Sequence, residues 1–244
     1  LERFVLELAG DPGADGSDSD AAPRPQALIE WRRSETAEGT LLEREVWFMP
    51  EDVRVRQVEV TPSATAPDAL PRLVWRERGR DGAADRLGYT RGLLVEPART
   101  EGRWSVVDWF AGRVVRGECE ASWTEPPFPL GLLERLREDG LGASERVARL
   151  DPLLRRIEQV TVEAIAPETF GLPVGAGFAP ARAWALRRPD GMLAIAVLFE
   201  GERLIAFRWQ EAGPVASRVG EVEYRRLEAR WKGGAYAGRS EGGT

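Results

Sequence analysis

Between Ala27 and Glu120 the chain is a succession of short runs, "ALIEWRR", "TLLEREVWF", "VRVRQVEV", "RLVWRER", "GLLVE", "RWSVVDWF" and "RVVRGECE". They are rich in Val, Leu and Trp and parted by Gly, Pro, Asp and Ser. β-Branched and aromatic residues suit a pleated surface, and turn formers at this spacing leave no room for crossover helices. Strands joined by short turns pair antiparallel, because a parallel pair needs a crossover of roughly a dozen residues or more. The first half of the chain is therefore predicted to be one antiparallel sheet.

The flanks extend that pattern. "LERFVLELAG" puts Phe4, Leu6 and Leu8 on one face and reads as a first strand. "DPGADGSDSDAAPRP" follows, and 10–26 is predicted to be a flexible loop. Its acids, Asp11, Asp15, Asp18 and Asp20, lack the alternate-position spacing of a calcium loop, so no metal site is assigned. "TPSATAPDALP", residues 61–71, is predicted to run as a long connection across the surface.

The middle of the chain changes period. "PFPLGLLERLREDGLG" carries Leu132, Leu133 and Leu136 at helical spacing, and "ASERVARLDPLLRRIEQV" adds Val147, Leu150, Leu153, Leu154 and Ile157. One or two short helices are predicted in a helical insertion at about 130–158, packed on the sheet. Strands resume with "QVTVEAI". After a Gly/Pro loop at 171–180, "RAWALRR", "MLAIAVLF", "RLIAFRWQ" and "SRVGEVEYRRLEARW" are predicted to form a meander, and 233–244 a disordered tail. At 244 residues the chain can bury one large core or two small ones. The expected architecture is a single β-rich domain over 1–244, α+β but mainly antiparallel β, built as a curved sheet or unclosed β-barrel carrying the helices.

Three hairpins share a layout, starting at Glu38, Glu101 and Asp190. Each begins acid-Gly, runs to a large pair (Trp47-Phe48, Trp109-Phe110, Leu198-Phe199), turns and returns. In the first, Val46, Phe48, Val53 and Val55 share an apolar face, with Glu45 opposite Arg56 on a wet one. In the second, a turn at Ala111-Gly112 sets Val115 opposite Asp108 and Cys119 opposite Trp104. In the third, a turn at Glu200-Gly201 sets Val197 opposite Leu204, and apolar residues on both faces predict a central position covered on each side.

Composition removes many chemistries. The chain contains no histidine and one cysteine, Cys119. That excludes Ser-His-Asp and Cys-His catalysis, the usual zinc ligand sets and an intramolecular disulfide. No phosphate-binding or dinucleotide fingerprint is present, so no cofactor is expected. A net charge of −6 and a pI near 5.1 argue against a general nucleic-acid binder. No apolar run reaches the roughly 20 residues of a membrane-spanning helix. A non-enzymatic protein is expected. Asp108, the best single acid, shares a face with Trp104, Val106 and Phe110, and Arg113 stands diagonally across the hairpin as an ion-pair partner.

Nine tryptophans are the more informative signal. Most fall in predicted strands, where a curved sheet either buries them as core or gathers them around an apolar cavity. The candidate ligand-binding set is Trp47, Trp104, Val106, Asp108, Phe110, Trp184, Phe199 and Trp209.

Two strand blocks split by a helical segment, with hairpins ending in Trp or Phe, resemble the lipoprotein-carrier proteins of the bacterial periplasm. The resemblance implies an unclosed β-barrel that covers helices and holds acyl chains. It implies a cell-envelope protein, exported by a bacterium, whose partner is an apolar ligand, a lipid or a lipoprotein. Leu1 at the start is read as following a removed leader. The alternative expectation is a structural or interaction subunit docking on a membrane-associated protein complex through an exposed edge strand.

Overall fold

The computed structural model describes residues 1–8, 24–48, 52–80, 87–98, 103–110, 113–120, 128–138, 145–151, 156–172, 180–209, 211 and 214–232. Eight strands form first: β1 (Glu2–Leu8), β2 (Arg24–Thr36), β3 (Gly39–Phe48), β4 (Val53–Thr61), β5 (Arg72–Arg80), β6 (Leu87–Pro97), β7 (Arg103–Phe110) and β8 (Arg113–Glu120). Helix α1 (Pro129–Glu138) follows. Six more strands come next: β9 (Arg146–Asp151), β10 (Arg156–Ile165), β11 (Ala181–Arg187), β12 (Leu193–Glu200), β13 (Arg203–Arg208) and β14 (Ala216–Arg218). Helix α2 (Glu221–Lys232) ends the described chain.

All strands join one 14-stranded sheet in the order β8-β7-β6-β5-β4-β3-β2-β1-β14-β13-β12-β11-β10-β9. Two meanders are thus zipped together by a single long-range pairing, β1 with β14, where Leu6 stands opposite Ala216 and Phe4 opposite Arg218. The free edges are β8 and β9, consecutive in the chain, and α1 lies on the connection between them. One core cluster draws side chains from every strand except β8, together with Leu130, Leu132, Leu133 and Leu136 of α1. A sheet whose single face converges on one helix is curled around it, and a sheet whose end strands do not pair is unclosed. The architecture is the predicted unclosed β-barrel.

Among the described residues the convex side is covered in two places. Tyr224 and Leu227 of α2 pack with Val5, Leu28 and Trp47, and a 3-10 turn at Pro167–Phe170 lays Phe170 on Ala183, Ala185 and Leu198. The latter cover explains why β12 is buried along its length from Leu193 to Phe199, as its two apolar faces predict.

The hairpin registers of β3–β4 and β7–β8 are those expected, with Val46 opposite Val55, Glu45 opposite Arg56, and Asp108 opposite Val115. The β12–β13 register differs. Its turn is Gly201-Glu202, so Phe199 faces Leu204, and after a bulge Val197 faces Phe207 in place of Leu204. Gly201 takes φ +59°, a left-handed conformation open to glycine at no steric cost, and that moves the turn one residue along.

Two segments change type. Among the described residues of the expected helical insertion only Pro129–Glu138 is helical; 146–151 and 156–165 form the β9–β10 hairpin, with Val147 opposite Val160. Pro152 disfavours a helical conformation at Asp151, and apolar residues three apart over so short a run fit either period. At the other end, "EVEYRRLEARWK" is α2, with no strand. Its apolar residues Tyr224, Leu227 and Trp231 fall at helical spacing, and Arg226–Glu223 at 2.6 Å and Lys232–Glu228 at 2.7 Å link successive turns on the outer face. β2 begins at Arg24, inside the predicted 10–26 loop. Residues 10–23 of that loop and the 233–244 tail lie outside the described residues.

Candidate functional site

Helix α1 is held inside the barrel by charge at both ends. Its sequence, "PLGLLERLRE", starts at a proline and has no acid in its first turn. Glu59 of β4, which is fully buried, supplies the missing acceptor. The backbone N–H of Leu130 donates to Glu59 Oε1 at 2.9 Å and that of Gly131 to Oε2 at 2.8 Å. A carboxylate at this point satisfies orphan donors and complements the positive end of the helix dipole. At the other end, Arg182 Nη2 donates to the carbonyl of Arg137 at 3.0 Å. Glu134 and Glu138 on the helix accept from Arg33 at 3.0 and 2.9 Å, and Arg137 donates to Glu2 at 2.9 Å.

Glu59 is the end of a buried polar chain. Gln57 Nε2 donates to Glu59 Oε1, and Arg44 Nη2 donates to Gln57 Oε1 at 2.8 Å. The three residues face the same side because Arg44 pairs with Gln57 across β3–β4, and Glu59 is two residues further along β4. Burial pushes the Glu59 carboxyl up to about 7, against the pull of its hydrogen bonds from Leu130, Gly131 and Gln57. Burial likewise lowers Arg44 to about 10; Glu59 opposes that shift and the nearby Arg149 guanidinium adds to it.

Between α1 and the concave sheet lies a cavity of about 540 Å³. Leu132 and Leu133 form its helix wall, and Val46, Val55, Trp75, Leu186, Ile195 and Trp209 belong to its sheet wall. The wall around Trp209 is stiffened by edge-to-face stacking, Trp209 on Phe207 at 5.1 Å and Phe207 on Phe4 at 5.2 Å. Among the described residues three guanidinium groups also line it, those of Arg44, Arg149 and Arg188, and no acid does. Just behind them Glu158 is buried, accepting from Arg149 Nη1 at 3.0 Å and lying 3.3 Å from Arg188 Nε. The arrangement offers an apolar chamber with a cationic patch. Among the described residues no group of His, Cys, Asp and Glu is placed to hold a metal ion.

The candidate residues divide by face. Trp209 lines the cavity. Trp184 and Phe199 lie on the same concave side, within the main core cluster. Trp104, Val106 and the buried Asp108 sit on the inner face of β7; Trp104 packs edge-to-face on Phe128 at 5.5 Å, ahead of α1. Phe110 ends β7 opposite Arg113, and its side chain lies outside the described residues. Trp47 is on the convex side, against Trp231 of α2 at 6.4 Å, with its Nε1 donating to Asp52 at 2.8 Å. It has no access to the cavity, because neighbours along a strand point to opposite faces and Val46 has taken the inner one.

Arg44, Arg149, Arg188, Trp75 and Glu59 are not among the candidate ligand-binding residues expected from the sequence; Trp75 was legible only as one of the tryptophans in predicted strands. Arg44 had a signal of the kind that drew attention to Asp108: it is the one charge on a face otherwise made of Leu42, Val46 and Phe48. Glu59 had none, since its partner lies 71 residues away.

The fold and chamber define an unclosed β-barrel-like protein with an internal apolar cavity. Among solved structures, the chain is similar to a crystal structure described as a beta-barrel-like protein of domain of unknown function DUF1849 from Brucella abortus. The two are 12% identical with a TM-score of 0.51, over 89% of this chain and 94% of that one. At that identity the likeness concerns the fold. No family model matches the sequence, and no curated protein matches it.

Proposed function

We propose that this is a non-enzymatic cell-envelope protein that binds an apolar ligand, such as a lipid or a lipoprotein acyl chain, inside the barrel. The observation that carries the reading is the chamber of about 540 Å³ walled by Leu132 and Leu133 on one side and the concave sheet on the other. That volume falls within the roughly 300–1,000 Å³ of small-molecule sites. Its largely aliphatic and aromatic lining suits a hydrocarbon chain. No helix among the described residues is long and apolar enough to cross a membrane. Native mass spectrometry of the protein purified without detergent tests the reading. The expected spectrum contains an adduct of lipid mass that organic extraction removes; a bare mass that no added lipid shifts would sink the proposal.

A second reading, an interaction subunit of a membrane-associated complex, is favoured by β8. This edge strand presents Val114 and Val115 to solvent, 58% and 64% exposed, beside unpaired backbone groups. A bare mass together with a stable complex that is lost on Val114→Lys would favour it.

A further inference from the structure

We infer that the occupant of the chamber is a single-chain amphiphile with a carboxylate head, held with the head on Arg44 and the chain along α1; this rests on the apolar-ligand reading above. The inference starts from charge. Arg44, Arg149 and Arg188 line the cavity, and the buried acids Glu158 and Glu59 lie close to them. Glu158 serves both Arg149 and Arg188. Both Glu59 oxygens are taken up by the backbone of α1, and Gln57 also donates to one of them. Among the described residues neither acid is hydrogen-bonded to Arg44.

Arg44 is the cation that an anion would complete. Its Nη2 meets the neutral amide oxygen of Gln57, while its Nε is buried without an acceptor among the described residues. A guanidinium presents planar, paired donors that match a carboxylate in a fork. A buried cation is costly unless paired, and its site is correspondingly selective for an anion. Arg44 lies on β3 two residues from Val46, so the cationic patch passes directly into the apolar wall.

The volume matches one chain. A methylene group occupies close to the ~30 Å³ of a liquid water molecule, so about 540 Å³ accommodates roughly one chain of 16 to 18 carbons. A diacyl lipid would need about twice that space. The two features together specify a long-chain carboxylate, with the acyl portion against Leu132, Leu133 and Trp209.

The test uses cis-parinaric acid, a naturally fluorescent C18 carboxylate, and its methyl ester, which keeps the chain and removes the charge. Titration of each into the whole protein at pH 8 is expected to show the acid binding at least about tenfold more tightly. In Arg44→Met that preference is expected to collapse to within about twofold, with ester binding unchanged, while Arg44→Lys, which keeps the charge and loses the fork, retains only part of it. Equal binding of acid and ester by the unaltered protein, or an undiminished preference in a folded Arg44→Met, would overturn the carboxylate assignment and leave the apolar-ligand reading standing. Failure of both probes to bind would remove both. The comparison of acid with ester needs no variant, so the test stands should Arg44→Met not fold.

Discussion

Glu59 Oε1 accepts the backbone N–H of Leu130 at 2.9 Å, tying strand β4 to the first turn of the helix that fills the barrel. The contact spans 71 residues of chain and is buried from water on both sides. Through Gln57 it continues to Arg44 at the cavity wall. The seating of α1 and the electrostatics of the chamber therefore share one polar chain.

Glu59 makes stability depend on pH in a defined window. Its folded value of about 7 stands above the ordinary 4.5, so the folded state holds a proton that the unfolded state releases. Between those values the unfolded chain binds fewer protons, and stability falls as pH rises from about 4.5 to about 7. The full effect is on the order of 3 kcal/mol. Glu134, also raised by burial, adds to the trend. In urea titrations from pH 4 to pH 8, Glu59→Gln is expected to gain about that amount relative to the unaltered protein across the window. A parallel pair of stability curves would contradict the assignment.

The C-terminal anchor of α1 is separable from the N-terminal one. Arg182 donates to the carbonyls of Arg137 and Gly201, each at 3.0 Å, and its charge complements the negative end of the helix dipole. Arg182→Met keeps the aliphatic stem and is expected to cost about 1–2 kcal/mol. Hydrogen exchange should quicken in the last turn of α1 and remain unchanged around Leu130.

Two tryptophans on opposite faces should behave differently. Trp47→Ala removes the contact with Trp231 and the hydrogen bond to Asp52, and is expected to cost about 3 kcal/mol or more while probe affinity is kept. Trp209→Ala opens the cavity wall and is expected to weaken probe binding by more than about fivefold with a smaller loss of stability. Chemical denaturation combined with parinaric acid titration separates the two. A binding defect in Trp47→Ala would mean that the faces are reversed.

Gly92 is where two strands need a missing side chain. It stands opposite Trp109 across β6–β7, and a Cβ there would fall 1.9 Å from Trp109 Cζ2. Gly92→Ala is expected to cost about 1–3 kcal/mol by displacing the indole ring. The same substitution in a Trp109→Ala background should be nearly neutral. Additive losses in the double mutant would show that the ring does not lie over the glycine.

Asp108 shows how far the sequence could be read. Its strand, its register against Val115 and its companions Trp104 and Val106 on one face were all legible, because alternation and turn chemistry are local properties. Whether that face closed on core or on a cavity was not. The answer depends on α1, and Asp108 is buried on the inner face without being one of the residues that line the chamber.

The same division runs through the molecule. Strand identity, the β3–β4 and β7–β8 registers, the two-sided burial of β12 and the absence of histidine chemistry follow from residues close together in the chain. Four other features follow from pairings between distant segments: the β1–β14 seam, the extended state of 146–151, the helix at Glu221–Lys232 and the meeting of Arg44, Glu59 and α1. Local periodicity allows more than one conformation in such short amphipathic runs. Only the burial offered by a distant partner decides which conformation forms, and which lone charge comes to face the cavity.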